Sequence, residues 1–249
     1  MRPVASLATP VNIEQARPEG DEALSLAIDG ALTLIRGNVS LTQVGLGLSG
    51  VFQQAKHTAF LKASFNYGEK GEDTFLDQSF AHARWTWMWG ELFGNEVFAQ
   101  IQADSFRSLV LRQLYGGGGR VIWGDHEPTR LALGLGAMFE RELYSETLRD
   151  EMREITVERV ELNPRWTSYL SFSHVIRARA EIKVGCTIYY QPKIGELSDY
   201  RVLGELSAEV NLSEHFSLVE SLGALYDSTP PPSVTQYDFK TVTSLRLRF

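Results

Sequence analysis

The chain has 249 residues, with 21 Gly, 9 Pro, 43% hydrophobic residues and a formal charge of -7, which suits one large β domain or two small ones and excludes a disordered tail. No run approaches the roughly 18 to 20 apolar residues of a membrane helix, and acids in excess with no basic run argue against a nucleic-acid partner. A mean hydropathy of -0.16 leaves a membrane β-barrel open, because there only alternate residues face lipid.

Residues 1–22 carry Pro3, Pro10 and Pro18 and lack the apolar core of roughly 7 to 15 residues that a signal peptide requires. They are read as a flexible segment ahead of a single domain over 23–249, in a chain whose signal peptide has been removed. From Leu24 onward the dominant signal is period two. Apolar residues alternate along Leu24/Leu26/Ile28/Leu32/Leu34, Val44/Leu46/Leu48/Phe52, Ala59/Leu61/Ala63/Phe65/Tyr67, Ala81/Ala83/Trp85/Trp87/Trp89 and Val97/Ala99/Ile101/Ala103. Between Ser105 and Trp123 the residues Arg107, Leu109, Val110, Leu111 and Arg112 fit neither face. Alternation resumes along Leu131/Leu133/Leu135/Ala137/Phe139.

The polar stretch Ser145–Thr156 is expected to be a loop, either extended or with a helical turn. Beyond it, Val160/Leu162/Trp166/Leu170/Phe172 alternate less regularly. Val175 to Tyr190 reads as one long strand, with Arg177, Arg179, Glu181 and Lys183 opposite an apolar face. Tyr200–Leu212, Phe216–Tyr226 (interrupted by Glu220) and Tyr237–Phe249 complete about twelve segments. They are longer than the 5 to 6 residues usual in soluble sheets and suit tilted membrane strands of about 9 to 11. The fold class is therefore all-β, an antiparallel up-and-down barrel that closes on itself and leaves no edge.

The face opposite the apolar one is ionic. Arg84, Arg165, Arg177, Arg179, Glu181, Lys183, Arg201, Glu205, Glu209, Lys240, Arg246 and Arg248 are its candidate lumen-lining charges, alongside Lys62, Asp104 and Glu140. Buried charges persist only when paired, so this lumen is expected to be filled by cross-strand ion pairs rather than to form a wide pore. A basic stripe of Arg177, Arg179, Lys183, Arg246 and Arg248 would favour small anions along a narrow path. Aromatic residues gather near strand ends, at Tyr67, Trp85 to Trp89, Tyr144, Tyr189, Tyr190, Tyr200, Tyr226 and Tyr237, as interface girdles do. The terminal Phe249, in phase with Leu247 and Leu245, has the form of the signal read by outer-membrane assembly machinery.

Motifs for other chemistry are weak. Gly116–Gly119 followed by Arg120 lacks the Lys-Ser or Lys-Thr of a phosphate loop and is read as glycines making room in a strand. His82, His174 and His215 have no nucleophile motif around them and are read as structural, so no enzyme activity, cofactor or metal is expected. The lone Cys186 sits in an apolar phase, and Pro230–Pro232 is read as a stiff connection. A membrane-embedded lipid- or lipopolysaccharide-modifying hydrolase and a soluble lipocalin-like binder are the rival readings.

Several fragments carry a resemblance to a known family. They are Gly37-Asn38, Arg112 ahead of Gly116–Gly119, Asn163-Pro164-Arg165-Trp166, Asp199-Tyr200-Arg201, and Tyr226-Asp227-Ser228-Thr229-Pro230-Pro231 with Tyr237-Asp238 and Phe249 downstream. Together they resemble the YdiY-like, or salt-induced, outer-membrane proteins, classed by a domain of unknown function, over nearly all of Leu24–Phe249. Arg36 stands where that family commonly has Thr before Gly-Asn. The resemblance implies a monomeric barrel in the outer membrane of a Gram-negative bacterium. Its implied partners are lipid, lipopolysaccharide and, through the last strand, the assembly machinery, and it supplies no established activity or catalytic residues.

Overall fold

The computed structural model describes residues 24–249 except 36–40, 71–72, 106–108, 125–127, 151–152, 178–179 and 231–234. The segment 1–22 and the Gly37-Asn38 pair lie outside the described residues. Twelve strands follow one another: β1 Leu24–Ile35, β2 Leu41–Gln54, β3 His57–Lys70, β4 Asp73–Met88, β5 Phe93–Asp104, β6 Leu109–Trp123, β7 Thr129–Asp150, β8 Arg153–Arg177, β9 Glu181–Lys193, β10 Glu196–Asn211, β11 Phe216–Asp227 and β12 Tyr237–Arg248. Each pairs antiparallel with its chain neighbour, and β12 returns to β1, so the sheet is a closed barrel. Closure joins the first and last strands over Ala27–Gly30 and Leu245–Arg248, so neither remains a wholly free sheet edge, which apolar surroundings disfavour.

Alternation sets the two faces. Leu46, Leu135, Trp166 and Leu206 point outward and are more than half exposed, whereas Arg120 and Arg165 point inward at 2% exposure and Glu140 at 0%. A lipocalin-like binder needs the reverse, an apolar interior under a polar exterior. All five tryptophans, Trp85, Trp87, Trp89, Trp123 and Trp166, lie on the outside.

Near one end of the barrel, where β1 begins and β12 finishes, His57 stacks on Trp85 at 5.5 Å. At the other, Tyr190, Tyr200 and Tyr226 form an outward row with ring centroids 5.8 and 5.7 Å apart. Tyr144 and Tyr189 do not belong to these girdles: their phase turns them into the lumen, where they are 5% and 7% exposed.

Three sequence expectations are corrected. First, Val175–Tyr190 is not one strand. The chain turns between β8 and β9 with Arg177 opposite Glu181. Paired residues share a face, and this pair is four positions apart, so period two runs through the turn unbroken.

Second, Ser145–Thr156 is not a loop. β7 and β8 stay paired from Thr129↔His174 to Asp150↔Arg153. The β6 ladder ends at Tyr144 and the β9 ladder at Arg165, so this hairpin rises beyond its neighbours at what we call the hairpin end. Pro164 is tolerated within β8 because it stands where the β9 ladder stops, and only its carbonyl is used there, accepting from the Ile194 amide at 2.8 Å.

Third, the phase conflict in 105–123 is a bulge. Leu109 pairs with Tyr144 but Leu111 with Leu143, so Leu109 faces inward and, past the extra residue, so do Arg112, Leu114, Arg120 and Ile122.

Candidate functional site: a bridged lumen

Three ionic clusters and an apolar layer occupy the lumen. In the middle, Arg84 of β4 sends Nη1 to Glu96 Oε2 at 3.3 Å and Nη2 to Tyr189 Oη at 3.4 Å. Tyr169 of β8 donates to the same Glu96 oxygen at 2.9 Å, and Arg120 Nη1 lies 3.5 Å from it. Arg84 also stands over the rings of Phe98 and Tyr169, 5.2 and 5.7 Å from their centroids. These contacts join β4 to β9 and β5 to β8, so they cross the lumen as chords.

The glycines make room for them. A Cβ on Gly116 would meet the Phe98 ring at 2.4 Å, and one on Gly134 would meet the Tyr169 ring at 2.1 Å. An apolar layer of Met88, Ile122, Ala132, Leu203 and Leu225 packs around the two tyrosines.

Toward the hairpin end lies the densest cluster. Glu140 and Glu142 of β7 face Arg112 of β6 and Arg201 of β10. Arg112 contacts Glu140, and its Nε lies 3.5 Å from Glu142. Arg201 reaches Glu140 at 2.6 Å, Glu142 at 3.4 Å and Asp227 of β11 at 2.8 Å. Arg165 of β8 lies 4.0 Å from Glu140 and holds Asp199 of β10 at 2.8 Å, while Asn163 donates to Glu142 at 3.3 Å. Charges withdrawn from water are stable only with such multiple partners.

The third cluster lies toward the end carrying the termini. Arg246 of β12 binds Asp29 of β1 at 2.7 Å and Glu209 of β10 at 2.8 Å. Arg248 also contacts Glu209, and Lys183 lies 3.7 Å from Glu181.

Among the charges expected to line the lumen, Arg84, Arg165 and Arg201 sit in the first two clusters. Glu181, Lys183, Glu209, Arg246 and Arg248 sit in the third, and Glu205 and Lys240 line a cavity beside it. Arg177 reaches only the exposed rim, and Arg179 lies outside the described residues. Of the expected basic stripe, Arg246, Arg248 and Lys183 are each taken up by a carboxylate. Phe249 points outward at the β1–β12 seam, where its backbone bonds that of Leu26.

Sequence reasoning missed Glu96, Arg120, Glu142, Asp199 and Asp227 as network members. Asp199 and Asp227 stood inside quoted motifs, and extending the β7 alternation past Phe139 would have reached Glu142.

Arg84 Nε can only donate to His82 Nε2 (3.4 Å), so Nδ1 carries the hydrogen and donates to Gln100 Oε1 at 3.2 Å. Both nitrogens are occupied. His174 lies within β8, facing outward, and shares a 2.7 Å hydrogen bond with Thr129. Among the described residues it has no carboxylate to orient it. His215 is exposed in a turn.

Residues from four of the fragments that carried the family resemblance meet in space. Arg112, Asn163, Arg165, Asp199, Arg201 and Asp227 all belong to the hairpin-end cluster. Ser228 fastens two fragments together by accepting from the Tyr200 amide at 2.7 Å and donating to the Ser198 carbonyl at 2.9 Å.

Residues 29–249 match the family model described as "Protein of unknown function, DUF481". The chain belongs to this family. No curated protein matches it. Among solved structures, this DUF481 barrel is similar to the translocator domain of the autotransporter NalP from Neisseria meningitidis, at 12% identity over 92% of this chain and 90% of that one, with a TM-score of 0.51. It also aligns with the beta domain of the Bordetella autotransporter BrkA, at 8% identity over 91% and 98% of the two chains (TM-score 0.47). A third match is the NanC porin, at 7% identity over 90% and 97% of the two chains (TM-score 0.46). At 12% identity the likeness to the NalP domain is one of fold.

Proposed function

We propose that this DUF481 chain is an integral outer-membrane barrel of a Gram-negative bacterium, closed to bulk diffusion and leaving one narrow polar path. The observation that carries this reading is the set of chords across the lumen, Arg84 to Tyr189, Tyr169 to Glu96 and Arg201 to Glu140. They fill the side walled by β4–β9, with Arg201 reaching in from β10. A cavity of about 190 Å³ remains against β1–β3 and β10–β12, and any solute path runs there. The apolar exterior and paired aromatic rows support lipid and lipopolysaccharide as the surroundings. The short turns at the end bearing the termini suit the periplasmic side, and the tall β7–β8 hairpin suits the outside. Phe249 on β12 is the element offered to the assembly machinery. The role is non-catalytic.

Planar-bilayer recording tests the path. The expected result is small unitary conductance that rises when Arg201→Ala and Glu140→Ala together remove the hairpin-end chord. Complete absence of conductance in both forms rejects transport and leaves a structural barrel. Lipid turnover lost on His82→Ala or His174→Ala would favour the hydrolase instead. The membrane assignment has its own test: fluorescence from the outward tryptophans should be quenched by brominated phosphatidylcholine. A monodisperse, detergent-free soluble chain overturns it.

A further inference from the structure

The seam between β1 and β12 is closed along only part of its length. Paired residues run from Ala27↔Arg248 to Gly30↔Leu245, extended by reciprocal backbone bonds between Leu26 and Phe249 at 3.0 and 3.4 Å. On their other sides the same strands are paired throughout, β1 with β2 from Leu24 to Ile35 and β12 with β11 from Tyr237 to Leu247. Continuing the register would place Ala31 against Ser244 and Leu32 against Thr243, and neither pair forms. From there to the hairpin end the two strands diverge. Unpaired backbone facing hydrocarbon is costly, so a divergent seam needs polar company.

The outer surface supplies it. Glu220 of β11 points outward and is exposed, and it accepts a hydrogen bond from the Thr243 hydroxyl of β12 at 2.5 Å. Thr241, also outward, lies next along the same strand. An acid and two threonines thus stand on the otherwise apolar face, beside the point where the seam parts. A charge on the lipid side is disfavoured unless it serves something polar.

Behind the seam lies the cavity of about 190 Å³, bounded by Ala31 and Ser244 at the two strand edges. Its floor is built from small residues, Gly45 and Gly47 among them. Of its charged groups, Asp29, Glu209 and Arg246 satisfy one another. Lys62 and Lys240 form no ion pair among the described residues; the lining itself holds three acids and three bases, and Arg248 beside it, bound to Glu209, leaves the two lysines opposed by Glu205 alone.

We propose that the parted β1–β12 seam is a lateral opening for a single-chain anionic amphiphile. Its carboxylate or phosphate head is held in the cavity by Lys62 and Lys240, and its hydrocarbon chain lies out between Ala31 and Ser244 into the lipid. A headgroup crossing the opening meets Glu220, Thr241 and Thr243 in place of hydrocarbon. This rests on the membrane reading above and adds a ligand class and a route.

The test uses the full chain in phosphatidylcholine nanodiscs, in a Cys186→Ser background, with a long-chain fatty acid carrying a diazirine close to its carboxylate as probe. Ala31→Cys and Ser244→Cys are joined by oxidation, or by a short bis-maleimide if the strands stand too far apart, and the same sample is compared open and closed. The expected result is photolabelling of the peptides holding Gly45 and Lys62 when open, falling at least tenfold when closed. In Lys62→Gln with Lys240→Gln, which needs no lock, that labelling falls at least fivefold while labelling of the outer-face peptide around Leu135 is unchanged.

Equal lumenal labelling with the seam open and closed overturns the proposal. So does equal labelling by the matching fatty alcohol, or full competition by inorganic phosphate, which would mean an anion site entered from the rim. A wild-type dimer that the lock converts to monomer would make the seam a strand edge for a second copy and also overturns it. Heat-modifiable gel migration and nanodisc insertion are scored in parallel. Their loss counts against the membrane reading, whereas a labelling failure with both intact counts against the opening alone.

Discussion

Arg246 and Asp29 face each other directly across the β1–β12 ladder, and the guanidinium holds both carboxylate oxygens, Nε to Oδ1 at 2.7 Å and Nη2 to Oδ2 at 3.3 Å. The first and last strands of the chain are thereby fastened one residue short of where their pairing stops at Gly30↔Leu245. Few other contacts close this barrel, so the pair should matter more than its partial exposure suggests.

Arg246→Gln is expected to lower stability by about 2 kcal/mol, since charge-assisted hydrogen bonds contribute roughly 1.5 to 3 kcal/mol each and the loss is discounted for solvent at the lumen. Urea unfolding in lipid vesicles, followed by tryptophan fluorescence, measures it. An unchanged midpoint would show that the short ladder closes the barrel unaided.

Glu140 is fully buried and is approached by Arg112, Arg201 and Arg165. Removing its charge leaves those guanidinium groups undercompensated, so Glu140→Gln should cost about 3 to 5 kcal/mol, the range for breaking a buried pair from one side. Asp199→Asn should cost less, because Arg165 keeps its hydrogen bond to the Gln191 carbonyl at 3.2 Å. The same unfolding assay ranks the two.

Ala55 occupies the left-handed region, with φ 51°, in the tight turn joining Gln54 to His57. A side chain there costs roughly 1 to 2 kcal/mol. Ala55→Gly should raise stability by about 1 kcal/mol, the remainder going to the greater freedom of the unfolded glycine. A midpoint that falls would contradict this account of the turn.

Gly134 and Gly204 separate packing from conformation. A Cβ at Gly134 collides with the Tyr169 ring at 2.1 Å, whereas one at Gly204 meets nothing within 4 Å. Gly134→Ala should therefore cost about 1 to 3 kcal/mol through overpacking and loosen the Tyr169–Glu96 contact. Gly204→Ala should be neutral or slightly stabilising. Similar losses at both positions would point to the strand backbone rather than the ring.

Much of the fold could be read from alternation, and the places where the reading failed share a cause. Period two reports which side a residue faces and says nothing about where the chain turns if the turn preserves phase. That is why Arg177 and Glu181 looked like members of one strand. The converse failure came at Leu109–Arg112, where one extra residue changes phase within a single strand. The Ser145–Thr156 segment looked like a loop because its polarity removes the contrast between faces, yet pairing with the opposite strand carries it as a hairpin.

The candidate site was legible only in part. That Arg84, Arg165 and Arg201 face inward follows from phase, which is local. That Arg84 meets Tyr189, or Arg201 meets Glu140, depends on the curvature of the closed sheet, which brings strands distant in sequence across the lumen.

The amino-acid sequence by itself determined a long-stranded, antiparallel β protein with an apolar face and an ionic face, because both follow from the order of side chains along an extended backbone. Only the tertiary structure decided which side of the barrel is bridged and which holds a cavity, and that the first and last strands part above Gly30 and Leu245. Those outcomes are set by registers and chords between residues far apart in the chain, and the linear pattern carries no record of them.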